Sequence, residues 1–270
     1  MLWDEIIEKS KQMNMQYHHV FQEEAQKAIL TALSRERLFN HMVFQGGTAL
    51  RLFYGNPRFS EDLDFVLRQT TSSVDFTDSI KKIERFVHDI FPFLNAVSIS
   101  VQKKDFSFQR FIVKTNSEYR EQKLRIHLEI AMVSSYDNQS KILVFPPFNP
   151  AVRVEDGSEI LSDKIVALGR RSYLKGRDLW DIYFLQKEKN MVILWDQIIK
   201  KVDEYGDTYE LFLEKLSRSI SLVENEGISI LIDEMKRFLP PQTFEYYYDM
   251  FPSIISSLCS DIKSGLNQQR

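Results

Sequence analysis

The chain is short of several things, and each shortage excludes something. Of its 270 residues, one is cysteine, Cys259. A single thiol excludes an internal disulfide framework, a cysteine zinc site and an iron–sulfur cluster, and it fits a reducing compartment. Nine glycines and eight prolines are too few for collagen-like or low-complexity architecture. The net charge is only -3, which excludes a protein that coats nucleic acid through bulk positive charge, so any such contact must be local. No run of 18 apolar residues occurs, so no membrane-spanning helix and no membrane partner are expected. The opening MLWDEIIEKS carries acids and no apolar stretch, so no secretory signal is expected and the expected location is cytoplasmic. What is present is core material: 43% of residues are hydrophobic and 13% aromatic, which excludes a mainly disordered chain.

Periodicity divides the chain in two. Residues 1–39 read as helical, with Trp3, Ile6 and Ile7 and then Val20, Ala25, Ile29 and Leu33 on 3.6-residue spacing. The apolar run 42–45 leads into Gly46-Gly47, and 48–54 reads as a helix with Thr48 as N-cap. Residues 62–67 alternate as a strand, a helix follows from Asp75 to Phe91, and 97–102, 107–114 and 123–133 are β-rich. Pro146, Pro147 and Pro150 mark a break. Beyond it, helices are expected at 158–172, 177–188, 192–204, 207–222, 226–238 and 242–263. The expected organisation is N-terminal helices (1–39), an α/β core (40–150) and a helical C-terminal domain (151–270), an α/β (α+β) protein with a small mixed sheet. Charge is uneven. Residues 164–177 hold five cations (Lys164, Arg170, Arg171, Lys175, Arg177) and no acid, the one concentrated positive patch, whereas 201–270 hold seven basic and twelve acidic residues.

The stretch FQGGTALRLFYGNPRFSEDLDFVL (44–67) carries the most chemistry. Asp62 and Asp64 are two apart in a strand pattern, so they share a face. Two carboxylates on one face repel unless a cation sits between them. Mg²⁺ is hard, takes oxygen ligands and carries substrate phosphates in its remaining positions. Asp-x-Asp also fits an exposed strand with solvated acids. Gly46 and Gly47 allow close backbone approach, and the helix start that follows suits a phosphate; an ordinary strand-to-helix turn fits them too. Thr48 can cap that helix or bond a phosphate oxygen, and Arg51, Arg58 and Ser60 flank the acids. In KLRIHLEIAMV, Arg125, His127 and Glu129 alternate with Leu124, Ile126, Leu128 and Ile130. Two-metal phosphoryl-transfer sites hold cations about 3.5–4 Å apart with several carboxylates, and Glu129 is the candidate third, with His127 expected as a neighbour. Further on, Lys164 and Arg171 share a helix face with Leu168, and Asp178 and Asp181 share another inside the apolar DLWDIYFL. Acids in such a setting must be paired or functional. The other histidines, His18, His19, His41 and His88, have no metal spacing, and G-x-S-x-G, Walker A and G-x-G-x-x-G patterns are absent.

Gly46-Gly47-Thr48, Arg51, Arg58-x-Ser60-x-Asp62-x-Asp64-Phe65, Lys164 in SDKIVALGRR and Arg177-Asp178-Leu179-Trp180-Asp181 together resemble the signature of the AbiEii/AbiGii toxin family, within the DNA polymerase β-like nucleotidyltransferases. The resemblance runs over roughly residues 40–190. It implies a nucleotidyltransferase core that moves a nucleoside monophosphate from an NTP to an acceptor hydroxyl. Asp62, Asp64 and Glu129 would hold Mg²⁺, with Mn²⁺ the alternative ion. Gly46, Gly47, Thr48, Arg51, Arg58, Ser60 and Arg171 would bind nucleotide or phosphate, Lys164 would neutralise the triphosphate, and Asp178 or Asp181 would position these cations. The implied acceptor is RNA, the 3′ end of tRNA, with the 164–177 patch as its expected contact, and the implied setting is a bacterial toxin–antitoxin or phage-defence (abortive infection) pair whose antitoxin is encoded separately. A protein or small-molecule acceptor, or a non-catalytic binding module that keeps a relic site, are the alternatives.

Overall fold

The computed structural model describes residues 1–71, 73–75 and 77–269. The chain divides into two compact units. The first is Met1–Phe53 with Phe59–Glu155, and the second is Tyr54–Arg58 with Asp156–Arg270.

In the first unit, α1 (Trp3–Gln12) and α2 (Tyr17–Arg35) lead into β1 (Met42–Gln45), α3 (Gly46–Tyr54, whose last residue belongs to the second unit) and β2 (Leu63–Arg68). Then come α4 (Ile80–Ile90), β3 (Ala96–Lys104), β4 (Phe108–Asn116), β5 (Arg125–Ser135), β6 (Asn138–Ile142) and β7 (Ala151–Glu155). Of the helix expected from Asp75 to Phe91, Phe76 lies outside the described residues; Thr77–Ser79 form a 3₁₀ turn and the α-helix starts at Ile80. Among the described residues, seven strands form one mixed sheet in the order β3-β4-β5-β2-β1-β7-β6. Leu124, Ile126, Leu128 and Ile130 are buried, as their alternation demands. The centre of the sheet is β5-β2-β1, with β2 parallel to β5 and antiparallel to β1.

Helix α2 is buried nearly all round, and its buried set includes Gln22, Glu23, Glu24 and Gln26 beside Phe21, Ala25, Ala28 and Ile29. Buried polar groups need partners, and the two glutamines find them in the chain just before β2. Gln22 donates to the Glu61 carbonyl (2.9 Å), and Gln26 donates to the carbonyls of Ser60 (2.9 Å) and Glu61 (3.1 Å).

The second unit is helical: α5 (Gly157–Arg170), α6 (Gly176–Tyr183) running into a π turn (Phe184–Glu188), α7 (Trp195–Glu204), α8 (Tyr209–Phe238), α9 (Pro241–Tyr248) and α10 (Phe251–Gln268). The Asp156 side chain accepts from the Ser158 amide at 2.8 Å and caps α5. The helices expected at 207–222 and 226–238 are one. Gly227 does not break it: a Cβ there would meet Val223 and Ile255 at 3.0 and 3.2 Å, so the glycine makes room for α10. The single helix expected at 242–263 is two, separated at Asp249–Met250 ahead of Pro252. Among the described residues no helix is long and apolar enough to cross a membrane.

Candidate active site

The acidic pair sits where β2 begins. Asp62 immediately precedes the strand and Asp64 lies inside it. Asp64 is directly opposite Glu129 of β5 on one side and Gln45 of β1 on the other. The parallel pairing of β2 with β5 therefore delivers the third carboxylate beside the first two. An oxygen of Asp62, a ring nitrogen of His127 and an oxygen of Glu129 lie within 4.8 Å of one another. His127 Nδ1 is 2.9 Å from Asp62 Oδ1, so the histidine expected as a neighbour bonds directly to the carboxylate. Arg110 of β4, opposite Glu129 in register, donates Nε to Glu129 Oε1 at 2.8 Å. The side chains of Asp62, His127 and Glu129 keep 36%, 30% and 24% of their surface in solvent. Half-exposed oxygens converging on one point form a donor set that a hard divalent cation fits.

The Gly46-Gly47-Thr48 turn acts on these acids from below. Gly46 has φ +78°, and a Cβ built there would stand 2.5 Å from Asp64 Oδ2. Only glycine combines that backbone angle with that closeness. Gly47 and Thr48 are buried. Thr48 does not cap a helix as expected, because α3 already begins at Gly46; its hydroxyl donates instead to the Asp62 carbonyl. Three buried side chains, Gln22, Gln26 and Thr48, thus hold the successive carbonyls of Ser60, Glu61 and Asp62. Nothing in the local sequence pattern of 44–67 points to the two glutamines, which lie more than 30 residues upstream. Arg51 points its Nε at Glu23 (2.7 Å) and lies 4.3 Å over the Phe59 ring; Glu23 also pairs with Lys27. Burial raises the Glu23 carboxyl, but Lys27 and Arg51 outweigh it and hold it below the usual range.

The second unit holds its own charged cluster. Asp178 and Asp181, one turn apart on α6, both receive Lys164 of α5, at 2.7 and 2.9 Å. Asp181 is fully buried and also takes Nε and Nη2 of Arg58 at 2.6 and 2.5 Å, a bidentate pair. Asn56 donates to Asp181 (2.9 Å) and accepts from the Trp180 indole (2.9 Å) and the Arg58 amide (3.2 Å). Arg171 pairs with Asp178. Burial raises the Asp181 carboxyl, but the charges of Arg58 and Lys164 overcome it and bring the pKa down to about 2. Burial pulls the Lys164 amine below the usual lysine range; Arg58 and Arg171 push the same way and Asp181 opposes. Lys164, Asp178 and Asp181 come together, as their spacing on two helices suggested. Asn56 was not visible as a participant, since Asp181 and Trp180 lie more than 120 residues along the chain.

Four of the five cations of the linear positive patch are paired with acids; Lys175 instead lies 5.8 Å from the Tyr173 ring centroid. Lys164 and Arg171 bind the α6 acids, Arg170 pairs with Asp207 (2.5 Å) and lies over the Tyr205 ring, and Arg177 pairs with Glu234 (3.1 Å). Two of the neutralising acids, Asp178 and Asp181, come from α6 just beyond the patch, and two, Asp207 and Glu234, from the acidic C-terminal region.

Comparison with known proteins places this geometry. No curated protein matches the sequence. Two solved structures from Helicobacter pylori share the fold: JHP933, at 19% identity and TM-score 0.52 over 93% of this chain and 96% of that one, and a nucleotidyltransferase described as putative, at 20% identity and TM-score 0.52 over 92% and 96%. At that identity the likeness speaks for the fold alone. Residues 28–250 match the family described as nucleotidyl transferase AbiEii toxin of the type IV toxin–antitoxin system. With that match spanning most of its length, this chain belongs to the AbiEii family and is a nucleotidyltransferase toxin.

Proposed function

We propose that the chain transfers a nucleoside monophosphate from an NTP to the 3′ hydroxyl of a tRNA, using Mg²⁺, and that a separately encoded antitoxin restrains it in an abortive-infection type of defence. The observation that carries the reading is the register of β2 and β5, which sets Asp64 opposite Glu129 while Asp62 and His127 converge on the same point. Asp62, Asp64 and Glu129 would hold the ion, and a bound Mg²⁺ would neutralise the triphosphate and lower the barrier to displacement. His127 orients Asp62 by its 2.9 Å bond and fixes which oxygen faces the site. Glu129 is the base in reach of the acceptor: it takes the hydroxyl proton as the acceptor oxygen bonds the α-phosphorus and the bond to pyrophosphate breaks. The Gly46-Gly47 backbone receives phosphate oxygens, with Arg51 and Ser60 flanking. In the second unit, Lys164 and Arg171 are the cations assigned to the triphosphate. Asp178 and Asp181 hold them extended and charged, and Arg58 holds Asp181.

The test incubates the protein with Mg²⁺, each labelled NTP in turn and total bacterial tRNA, beside the Asp62→Ala/Asp64→Ala double variant. Label on tRNA with the unaltered protein only is the expected result, and it names the nucleotide. Label on protein, on a small molecule, or nowhere overturns the tRNA reading.

A further inference from the structure

With four of the five cations of the 164–177 patch paired to acids, the RNA footprint has to be sought elsewhere. The exposed alternate residues of the β5 approach are Lys123 and Arg125, with Leu124 and Ile126 buried between them. Lys123 has extended backbone (φ -96°, ψ 126°), so the alternation runs unbroken into the strand. Continuing on the same face come His127 and Glu129 of the carboxylate site. Directly opposite Arg125 on β4 stands Lys114, also exposed. Opposite Lys114 on β3 stands Ser98, exposed, with Ser100 two residues on. Among the described residues no ion pair joins Lys114, Lys123 or Arg125 to a carboxylate. Like charges directly opposite on neighbouring strands destabilise a sheet, and Lys114 stands directly opposite Arg125. Glu118 and Glu121, in the connection between the two strands, are exposed acids nearby in the chain, and they bind none of the three.

We propose that Lys114, Lys123 and Arg125, with the hydroxyls of Ser98 and Ser100, form a phosphate-binding track that carries the single-stranded 3′ end of the RNA acceptor to the Asp62–His127–Glu129 site. The proposal rests on the RNA reading above. Successive cations on one strand face are spaced about 6.6 Å, two residues of strand rise. The track starts about 13 Å from Glu129, four residues away. A polyanion relieves the Lys114–Arg125 repulsion and releases counterions as it binds. Its near end, Arg125, lies on the site's own strand, so a chain held there runs toward the carboxylates. A protein with scattered acids has no reason to follow that line.

The experiment uses the Asp62→Asn chain, which binds without turnover, and a fluorescent single-stranded RNA of about twelve nucleotides with a free 3′ end. The Lys114→Ala/Lys123→Ala/Arg125→Ala combination is added to it. Expected is a Kd at least about tenfold weaker at low salt. The slope of log K against log salt should flatten by about two, since each single-strand phosphate contact contributes about 0.7. The charge-keeping Lys114→Arg/Lys123→Arg/Arg125→Lys combination, which retains the surface, should bind as the parent does. Unchanged affinity in the alanine combination overturns the track. So does a parent that binds polyglutamate but not this RNA. In a separate transfer assay with Asp62 intact, an unaltered KM for tRNA in the alanine combination sinks the track and leaves the reaction standing; track-dependent RNA binding with no label transfer by the otherwise unaltered chain does the reverse.

Discussion

The two units treat their acids in opposite ways. In the first, Asp62 and Glu129 stay roughly a third and a quarter exposed, and their partners are a histidine and a half-exposed arginine. In the second, Asp181 is wholly buried among Arg58, Lys164 and Asn56, and Asp178 is nearly so. Acids left open and close together are arranged for a cation that arrives from outside. Acids buried with their cations already in place hold a structure together. Carboxylates at both places fit the family pattern equally well in sequence, and only burial and pairing separate them.

Neutralising one acid in each unit puts that contrast to its hardest trial. Asp64→Asn should lower nucleotidyl transfer by about 10³-fold, because a metal-holding carboxylate contributes several kcal/mol to the transition state. Its melting temperature should stay within about 3 °C of the parent's. Asp181→Asn should do the converse to stability: it removes the buried carboxylate that forms a bidentate pair with Arg58 and one of the two that hold Lys164, which costs about 3–5 kcal/mol, or on the order of 10 °C in a chain of this size. Calorimetry and a transfer assay on both variants decide it. A strongly destabilised Asp64→Asn with an unperturbed Asp181→Asn would erase the distinction between the units.

Acid titration sharpens the same comparison with a smaller effect. Asp181 has a folded pKa of about 2 against an ordinary value near 3.9. A depressed carboxyl contributes its stability fully above the unfolded value and loses it as pH falls through the folded one. The contribution is therefore complete above about pH 4 and fades toward pH 2, amounting to about 2 kcal/mol. The difference in unfolding free energy between the parent and Asp181→Asn should shrink over that window and be flat from pH 5 to 7. A difference that changes at neutral pH instead would mean that some other group titrates with the cluster.

Much of the first unit was legible because its signals are local. The run 42–45 and the alternation of 62–67 and 123–133 each follow from a few adjacent residues and appear as β1, β2 and β5, while the glycine pair opens α3. Glu129 was reachable because alternation fixes a face. Its register with Asp64 was not, since parallel pairing joins segments some 65 residues apart. The second unit was less legible for the same reason. Lys164, Asp178 and Asp181 have helical spacing that hints at a meeting, but Arg170 and Arg177 read as free charge because Asp207 and Glu234 lie far along the chain. Residues 223–225 read as a gap between helices, yet α8 runs through them, and Gly227 just beyond lies against Ile255 of α10.

The smallest expected effect belongs to the groups that sequence reading overlooked. Gln26 holds the carbonyls of Ser60 and Glu61, and Thr48 holds that of Asp62. Neither side chain is a ligand candidate, but together they fix the backbone from which the Asp62 carboxylate projects. Removing the amide in Gln26→Ala takes away the donor to the Ser60 carbonyl and one of the two donors to the Glu61 carbonyl, the other being Gln22, and should cost about 1–2 kcal/mol of stability. A purely structural clamp would show that loss and nothing else. A clamp that sets the carboxylate should also raise the divalent-ion concentration needed for half-maximal transfer, by about tenfold, as loss of a group supporting a metal ligand does. Gln26→Glu keeps the length and loses the donor, so it should raise the metal requirement by a similar factor. Metal titrations of the transfer rate for both variants, beside their melting curves, separate the outcomes. Equal stability loss with an unchanged metal requirement would place the whole effect in packing and leave Asp62 positioned by its own strand.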